Sequence, residues 1–490
     1  MDINGRVWSE VTWNLVFTVI VIGFGSGFQH GYNTGVLNEI QNVTTTWIRN
    51  CEEPSSSIWE NREVCDYTWM ETTFIWAQIV STFCLGGMMG GLAVGIMSNN
   101  CGRKYSLLFN NVFVLGGGAL MFFSQWQQSY GMLIGGRFLI GIAAGIAAGI
   151  TPMYLSEISP RSARGAIGTV YQLAITATIL LSQILGLKSV MGTDELWPFL
   201  LAVTIIPGCV QLLSLPFCPD SPKHLYLDND DSTRAKEALQ WLRCRDNVSE
   251  DLQEYADEKD RETGLDETGQ ISTSDLLTKR KWRRPLIIAV MLMLAQQMSG
   301  INAIIFYSTD VFINAGLTQD TAQYATLGMG LANVLVTILS IAIVERFGRK
   351  TLLLAGLSGM LMCTAGLLMC LKLNQNADVD EQPSMVASLS VVMVVGFVAF
   401  FAIGPGPIPW FFVSELFTQR ARPAANAVAV GVNWAANFLI SWSFQPLSAW
   451  LGSNVFVMFA VLQVIFIVYI WRFVPETKDR TVLEILALFQ

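Results

Sequence analysis

Gly102-Arg103-Lys104 follows one long apolar run, and Gly348-Arg349-Lys350 follows another, 246 positions later (348 − 102). Ser156-Glu157, trailed by Arg161 and Arg164, returns as Ser414-Glu415, trailed by Arg420 and Arg422, 258 positions on (414 − 156). Pro219-Asp220-Ser221-Pro222-Lys223 returns as Pro475-Glu476-Thr477-Lys478, 256 positions on (475 − 219). One echo is chance. Three at nearly one offset predict two copies of one structural unit in series.

The units are predicted to be bundles of membrane helices. Of 490 residues, 52% are hydrophobic and only 14% are charged, against about 25% charged in an ordinary soluble domain. Apolar runs fall near 13–36, 72–98, 104–125, 131–150, 165–187 and 196–217, then near 285–309, 321–344, 351–371, 386–412, 424–444 and 454–473. Twelve spans of about 20 residues need roughly 240 positions, which the composition supplies. The expected fold is therefore an all-α membrane protein of twelve transmembrane helices in two six-helix halves, residues 1–218 and 285–475. A charged helical linker, 219–284, and a short tail, 476–490, complete it. No small-residue cleavage site follows the first run, so it is expected to remain as helix 1.

Basic residues orient the bundle. Of 30 lysines and arginines, 25 fall in the loops and tails on the side of the linker, Arg49, Arg62, Lys188 and Lys372 fall opposite, and Arg137 lies within a span. The positive-inside bias puts both termini and the linker in the cytoplasm, with the plasma membrane as the expected location. Asn42-Val43-Thr44 is then a glycosylation sequon in the longest outer loop; Asn247-Val248-Ser249 lies inside and should stay unmodified. Cys51 and Cys65 share that outer loop, where a disulfide and two free thiols are both open readings.

The echoed charges suit a gate. Arginines at inner helix ends meet helix C-termini and carboxylates such as Glu157, Glu345 and Glu415, and such pairs are expected to hold the two halves together on the inner face. Topology-setting charge alone is the blander alternative.

Polar residues at membrane depth point to the cargo, since they face neighbours or a water-filled cavity. Gln296-Gln297-Met298-Ser299-Gly300-Ile301-Asn302 is the richest stretch, with Gln172 and Gln183 in helix 5, Asn333 in helix 8, and Asn433, Trp434 and Asn437 in helix 11. Gly404-Pro405-Gly406-Pro407-Ile408-Pro409 must break helix 10 before Trp410, because each proline removes a donor and clashes with the preceding turn. The set is neutral. Amides offer donors and acceptors to hydroxyls, and an aromatic face suits a sugar's C–H surface. Duplicated six-helix units place a substrate site at their interface. A neutral, polyhydroxylated solute is the expected substrate.

Gly31-Tyr32-Asn33-Thr34-Gly35, the two Gly-Arg-Lys loops, Gln296 to Ala303, Gly404 to Trp410, Arg420 to Pro423, the 219–223 motif and Pro475 to Lys478 are together similar to the facilitative hexose transporters. These are glucose-type sugar porters of the major facilitator superfamily, and the resemblance runs over nearly the full chain. It implies sugar binding by Gln172, Gln296, Gln297, Asn302, Asn333, Trp410, Asn433 and Asn437. It implies inner-gate charges at Arg103, Glu157, Arg164, Glu345, Arg349, Glu415 and Arg422. Two departures stand out. Met293-Leu294-Ala295 replaces the Gln-Leu-Ser of glucose carriers, and Ala402 replaces a helix-10 Glu. The resemblance therefore implies a hexose, with glucose and fructose both admissible, and leaves affinity and oligomeric state open.

Passive transport is expected, because proton–sugar symporters of the same fold carry Asp where this chain has Asn33, and an amide does not titrate. Arg137 stays protonated, which leaves His30 as the one intramembrane titratable exception. A sugar sensor is a further alternative, though sensors carry long cytoplasmic tails. An enzyme is the least expected class: no Ser/His/Asp arrangement or phosphate loop appears, and two histidines, His30 and His224, with scattered cysteines offer no metal site. Hexose and membrane lipid are the expected partners, and neither cofactor nor nucleic acid is expected.

Overall fold

The computed structural model of the chain describes residues 11–49, 69–160, 163–263, 271–375, 385–478, 480 and 482–489. Cys51 and Cys65 lie outside the described residues, as do the side chains of Arg164 and Glu345.

The regular elements among the described residues are all helices, with no strand. The first half contains α1 (Trp13–Arg49), α2 (Trp69–Phe123), α3 (Tyr130–Ile158), α4 (Arg164–Leu185), α5 (Trp197–Ala202) and α6 (Ile205–Ser214). The linker holds α7 (Ser232–Arg243), α8 (Ser249–Thr263) and α9 (Thr273–Thr278). The second half contains α10 (Arg280–Met298), α11 (Ile301–Asn314), α12 (Gln319–Arg346), α13 (Arg349–Gln375), α14 (Met385–Ile403), α15 (Ile408–Leu416), α16 (Arg422–Leu451) and α17 (Val455–Phe473), followed by α18 (Val482–Ala487).

Eleven helical segments among the described residues are long and apolar enough to cross a bilayer, and one of them runs 53 residues, Glu71–Phe123. At 1.5 Å per residue that is about 80 Å, more than twice a hydrocarbon core of about 30 Å. It breaks at Gly102, whose φ of 74° and extended ψ are not helical. The break makes two crossings of α2, and the count of twelve follows.

Small residues set the packing. A β-carbon at Gly90 would collide with the Ile142 carbonyl, and one at Gly145 with the Gly87 carbonyl, so α2 and α3 touch backbone to backbone. Without a hydrophobic force between helices in lipid, such close approach is what holds them. Two seams join the halves. In the first, α2 meets α16 where Gly87 lies under the Trp434 indole and Gly91 against Val430. In the second, α4 meets α12 at Gly330. The repeat offset carries α2 onto α12 and α4 onto α16, so the two seams are the same contact made twice.

The linker docks on one face of the bundle. Thr12 Oγ1 donates to the Leu242 carbonyl, Asn14 Nδ2 to that of Trp241 at 2.8 Å, and Arg243 Nη1 to that of Ile158 at 3.1 Å. Ser272 and Asp275 form a reciprocal capping box at α9. Hydrogen bonds from the Ser272 hydroxyl and backbone hold the Asp275 carboxyl below its ordinary range. The start of α1 and the segment after α17 both lie at this linker face, where Glu476 meets the 348–350 turn.

Candidate functional site

The second half breaks its helices where the amides stand. α10 ends at Met298, Gly300 takes a φ of 98°, and α11 restarts at Ile301. That left-handed conformation suits glycine alone. Between α14 and α15 the proline-rich stretch leaves carbonyls unused by any helix, and Gln296 Nε2 takes two of them, Gly406 O at 2.7 Å and Pro405 O at 3.1 Å.

From there one network runs through three helices. Asn433 Nδ2 donates to Gln296 Oε1 at 2.7 Å, and Gln297 Nε2 donates to Asn433 Oδ1 at 2.8 Å. Asn302 Nδ2 donates to Gln297 Oε1. One turn along α16, Asn437 Oδ1 accepts from Ser441 Oγ at 3.1 Å. The structure thus joins Gln296, Gln297, Asn302 and Asn433, all buried and uncharged. It does not bring Gln172 or Asn333 into that net. Gln172 is buried on α4 across the interface, and Asn333 on α12 leaves its Oδ1 without a partner.

An aromatic cluster closes the site from the first half. The His30 ring lies 4.8 Å from Trp434 and 6.1 Å from Trp410, edge-on to the latter. His30 Nδ1 is 3.1 Å from the Tyr171 hydroxyl, and Tyr171 meets Trp410 edge-on at 6.1 Å. The resemblance named Trp410 but not His30, Tyr171 or Trp434. A histidine at membrane depth was the available signal for this cluster; Tyr171 carried one only by preceding Gln172.

One turn beyond His30 along α1, away from the linker, sits the intramembrane cation. Arg137 Nη1 donates to the Asn33 backbone carbonyl at 2.8 Å, and its guanidinium lies 4.4 Å over the Phe83 ring. Asn33 Nδ2 is held by Gln29 O and Thr204 Oγ1, each at 3.0 Å. Among the described residues no carboxylate pairs with Arg137.

At the linker face the arginine of each Gly-Arg-Lys turn meets a carboxylate. Arg103 Nη2 lies 2.9 Å from Glu157 Oε1 and its Nη1 3.3 Å from Asp228, while Arg349 lies 3.2 Å from Glu415. The arginines also reach helix ends: Arg422 Nε donates to Phe417 O at 3.0 Å and Arg349 Nη1 to Val344 O at 3.2 Å. The proline-bounded acids explain the third echo. Asp220 accepts from Lys104 N at 3.3 Å and Glu476 from Arg349 N at 2.8 Å, so each caps the turn of its own Gly-Arg-Lys.

One expectation is corrected. Both Arg–Glu pairs join helices of the same half, α2 to α3 and α13 to α15, and so do not tie the halves together. Among the described residues the tie at this face is an amide: Gln419 Nε2 donates to Glu157 Oε1 at 2.8 Å, while Arg422 Nη1 donates to Gln419 Oε1 at 2.7 Å. At the opposite face α1 meets α11, with Asn38 Nδ2 on Ser308 Oγ at 3.0 Å and Gln41 Nε2 on Asp310 at 3.3 Å. The halves are bridged on both faces, so the amide cluster is occluded.

The family description "Sugar (and other) transporter" matches residues 18–489. The chain belongs to that sugar transporter family. It is 42% identical over 481 residues to the dog (Canis lupus familiaris) solute carrier family 2 facilitated glucose transporter member 3, covering 98% of this chain and 93% of that one. It is 44% identical over 486 residues to the human (Homo sapiens) member 4, covering 98% and 91%. Among solved structures, the major facilitator superfamily proton:xylose symporter XylE, bound to 6-bromo-6-deoxy-D-glucose, superposes with a TM-score of 0.79. That match has 25% identity over 97% of this chain and 99% of the other. The family and the fold agree with the two-half architecture described above.

Proposed function

We propose that the chain carries a hexose, glucose with fructose as a second substrate, passively across a membrane by alternating access. One observation carries this reading: an uncharged amide network at the interface of two pseudo-equivalent halves that are bridged on both faces. Gln296, Gln297, Asn302 and Asn433 saturate one another in the occluded form, and each can exchange that bond for a sugar hydroxyl. Such exchanges are worth about 1 kcal/mol apiece, so binding is loose, of order millimolar, and release is fast. Gln172 on α4 and Asn333 on α12, both buried, are assigned to the sugar path beside that network, and Trp410 supplies the aromatic wall. Relatives named as facilitated glucose transporters support the substrate class.

Uniport rests on Asn33 and Arg137. The guanidinium is held by a backbone carbonyl and an aromatic face, with no acid in the set to take a proton. The linker face is assigned to the cytoplasm from its basic residues, with the plasma membrane as the location and Asn42, exposed near the end of α1, as the glycosylated residue. The chain is read as a carrier without enzymatic activity. The inner gate comprises Arg103, Glu157, Arg164, Glu345, Arg349, Glu415 and Arg422, with Gln419 added as its cross-half tie.

Counterflow of labelled glucose and fructose in liposomes, with and without a proton gradient, tests the reading. Equal flux in both conditions is expected. Proton uptake stoichiometric with sugar, and abolished by His30→Ala, would replace uniport with symport; specific binding with no flux would make the protein a sensor.

A further inference from the structure

The second seam holds a polar side chain that the proposed site does not use. Gln183 stands on α4, 11 residues beyond Gln172 (183 − 172). At about 100° per residue that is three turns plus about 20°, so both glutamines occupy one face, about 16 Å apart along the axis. The Gln183 end of α4 is the end away from the linker. There the side chain crosses to the other half, and a β-carbon at Gly330 of α12 would collide with Gln183 Oε1.

Gln183 is 1% exposed, and neither its Oε1 nor its Nε2 has a hydrogen-bond partner among the described residues. One turn inward from Gly330 on the same face of α12, Asn333 is 4% exposed with an unpartnered Oδ1. An amide that merely glued the seam would be bonded across it, as Asn433 is to Gln296. Buried amides of native proteins are nearly all paired, because an unpaired one loses its water without return. Three unpaired atoms on facing helices therefore mark a place where a ligand supplies the partners.

We infer that Gln183 is a further sugar-contacting residue, and that with Asn333 it forms an outer station at the seam of α4 and α12. The station offers two acceptors and a donor to the hydroxyls of a hexose on its way to the amide cluster. Gly330 leaves the room that any side chain would fill. Closing this seam on water strips the amides; closing it on a sugar does not, so the ligand binds the closing seam better than water does and draws it shut. The inference rests on the hexose reading above.

The test is Gln183→Leu in cells, with sugar influx and efflux measured separately. The influx KM is expected to rise about fivefold, the share of one exchanged hydrogen bond, while the efflux KM stays at the wild-type value. An influx KM within about twofold of wild type, or a rise shared equally by both directions, would overturn the assignment, since a merely structural glutamine disturbs both. If the leucine variant does not reach the membrane, Gln183→Met keeps the length, removes only the amide and is judged by the same two constants. Absence of hexose flux through the unaltered chain would instead defeat the transport reading, and this station with it.

Discussion

Replacing Gln419 with alanine tests how the linker face is closed. Gln419 Nε2 reaches across the halves to Glu157 Oε1 at 2.8 Å, and Glu157 is at the same time held by Arg103. A hydrogen bond to an ionised group contributes about 1.5–3 kcal/mol. Arg103 remains in Gln419→Ala, so the carboxylate is not left unpaired and the lower figure applies. About 1.5 kcal/mol shifts the ratio of closed to open linker face roughly tenfold toward open. Energy transfer between dyes on exposed linker-face positions of the two halves, in liposomes without sugar, reads that ratio directly. The partner substitution Arg103→Ala should act differently, loosening the first half itself and lowering its melting temperature. An unchanged dye distance in a Gln419→Ala protein that melts like wild type would refute the reasoning, and would return the closing force to the apolar seams.

Gln296→Ala removes the 2.7 Å acceptor of Asn433 Nδ2 and leaves the Pro405 and Gly406 carbonyls without their donor, and sugar uptake should fall strongly at unchanged surface expression; unaltered uptake would remove Gln296 from the site. Gly300→Ala forces a β-carbon into a φ of 98° and to 3.0 Å from Phe459, so a loss of about 1 kcal/mol or more is expected, read as a lower melting temperature in detergent. Gly90→Leu drives a side chain into the α3 backbone, and the protein should fail to reach the membrane, whereas Gly328→Leu, where a β-carbon meets nothing within 4 Å, should be tolerated. Asn42→Gln should remove a glycosidase-sensitive mass shift on a gel, and Asn247→Gln should leave the mobility unchanged.

The duplicated architecture was legible because three motifs recur at one offset and the apolar runs are long. The amide cluster was legible because Gln296, Gln297 and Asn302 sit beside Gly300, where a helix cannot continue unbroken. Other features depended on helix rotation, which periodicity does not give. Glu157 was read as an arginine-paired tie between halves, yet its arginine, Arg103, belongs to its own half and its cross-half partner is the Gln419 amide. Gln419, a lone amide just beyond α15, carried no pattern of its own. Asp220 and Glu476 were visible as an echo, but their capping of the Gly-Arg-Lys turns depends on a chain reversal about 115–130 residues away (220 − 104, 476 − 349), beyond local inference. The Gly102 break falls between the runs at 72–98 and 104–125, which were read as separate helices and which the non-helical glycine does separate.

The backbone contact of α2 with α3 has a mechanical consequence. At Gly90 and Gly145 the two helices touch with no side chain between them to shear, so this pair should act as a girder within the first half. The second half is jointed at Gly300 and again at 404–407. The carrier is thus a stiff lever working against a compliant one. Damage to the girder should disable both gates together, while damage at a joint should leave one gate working and stall the other.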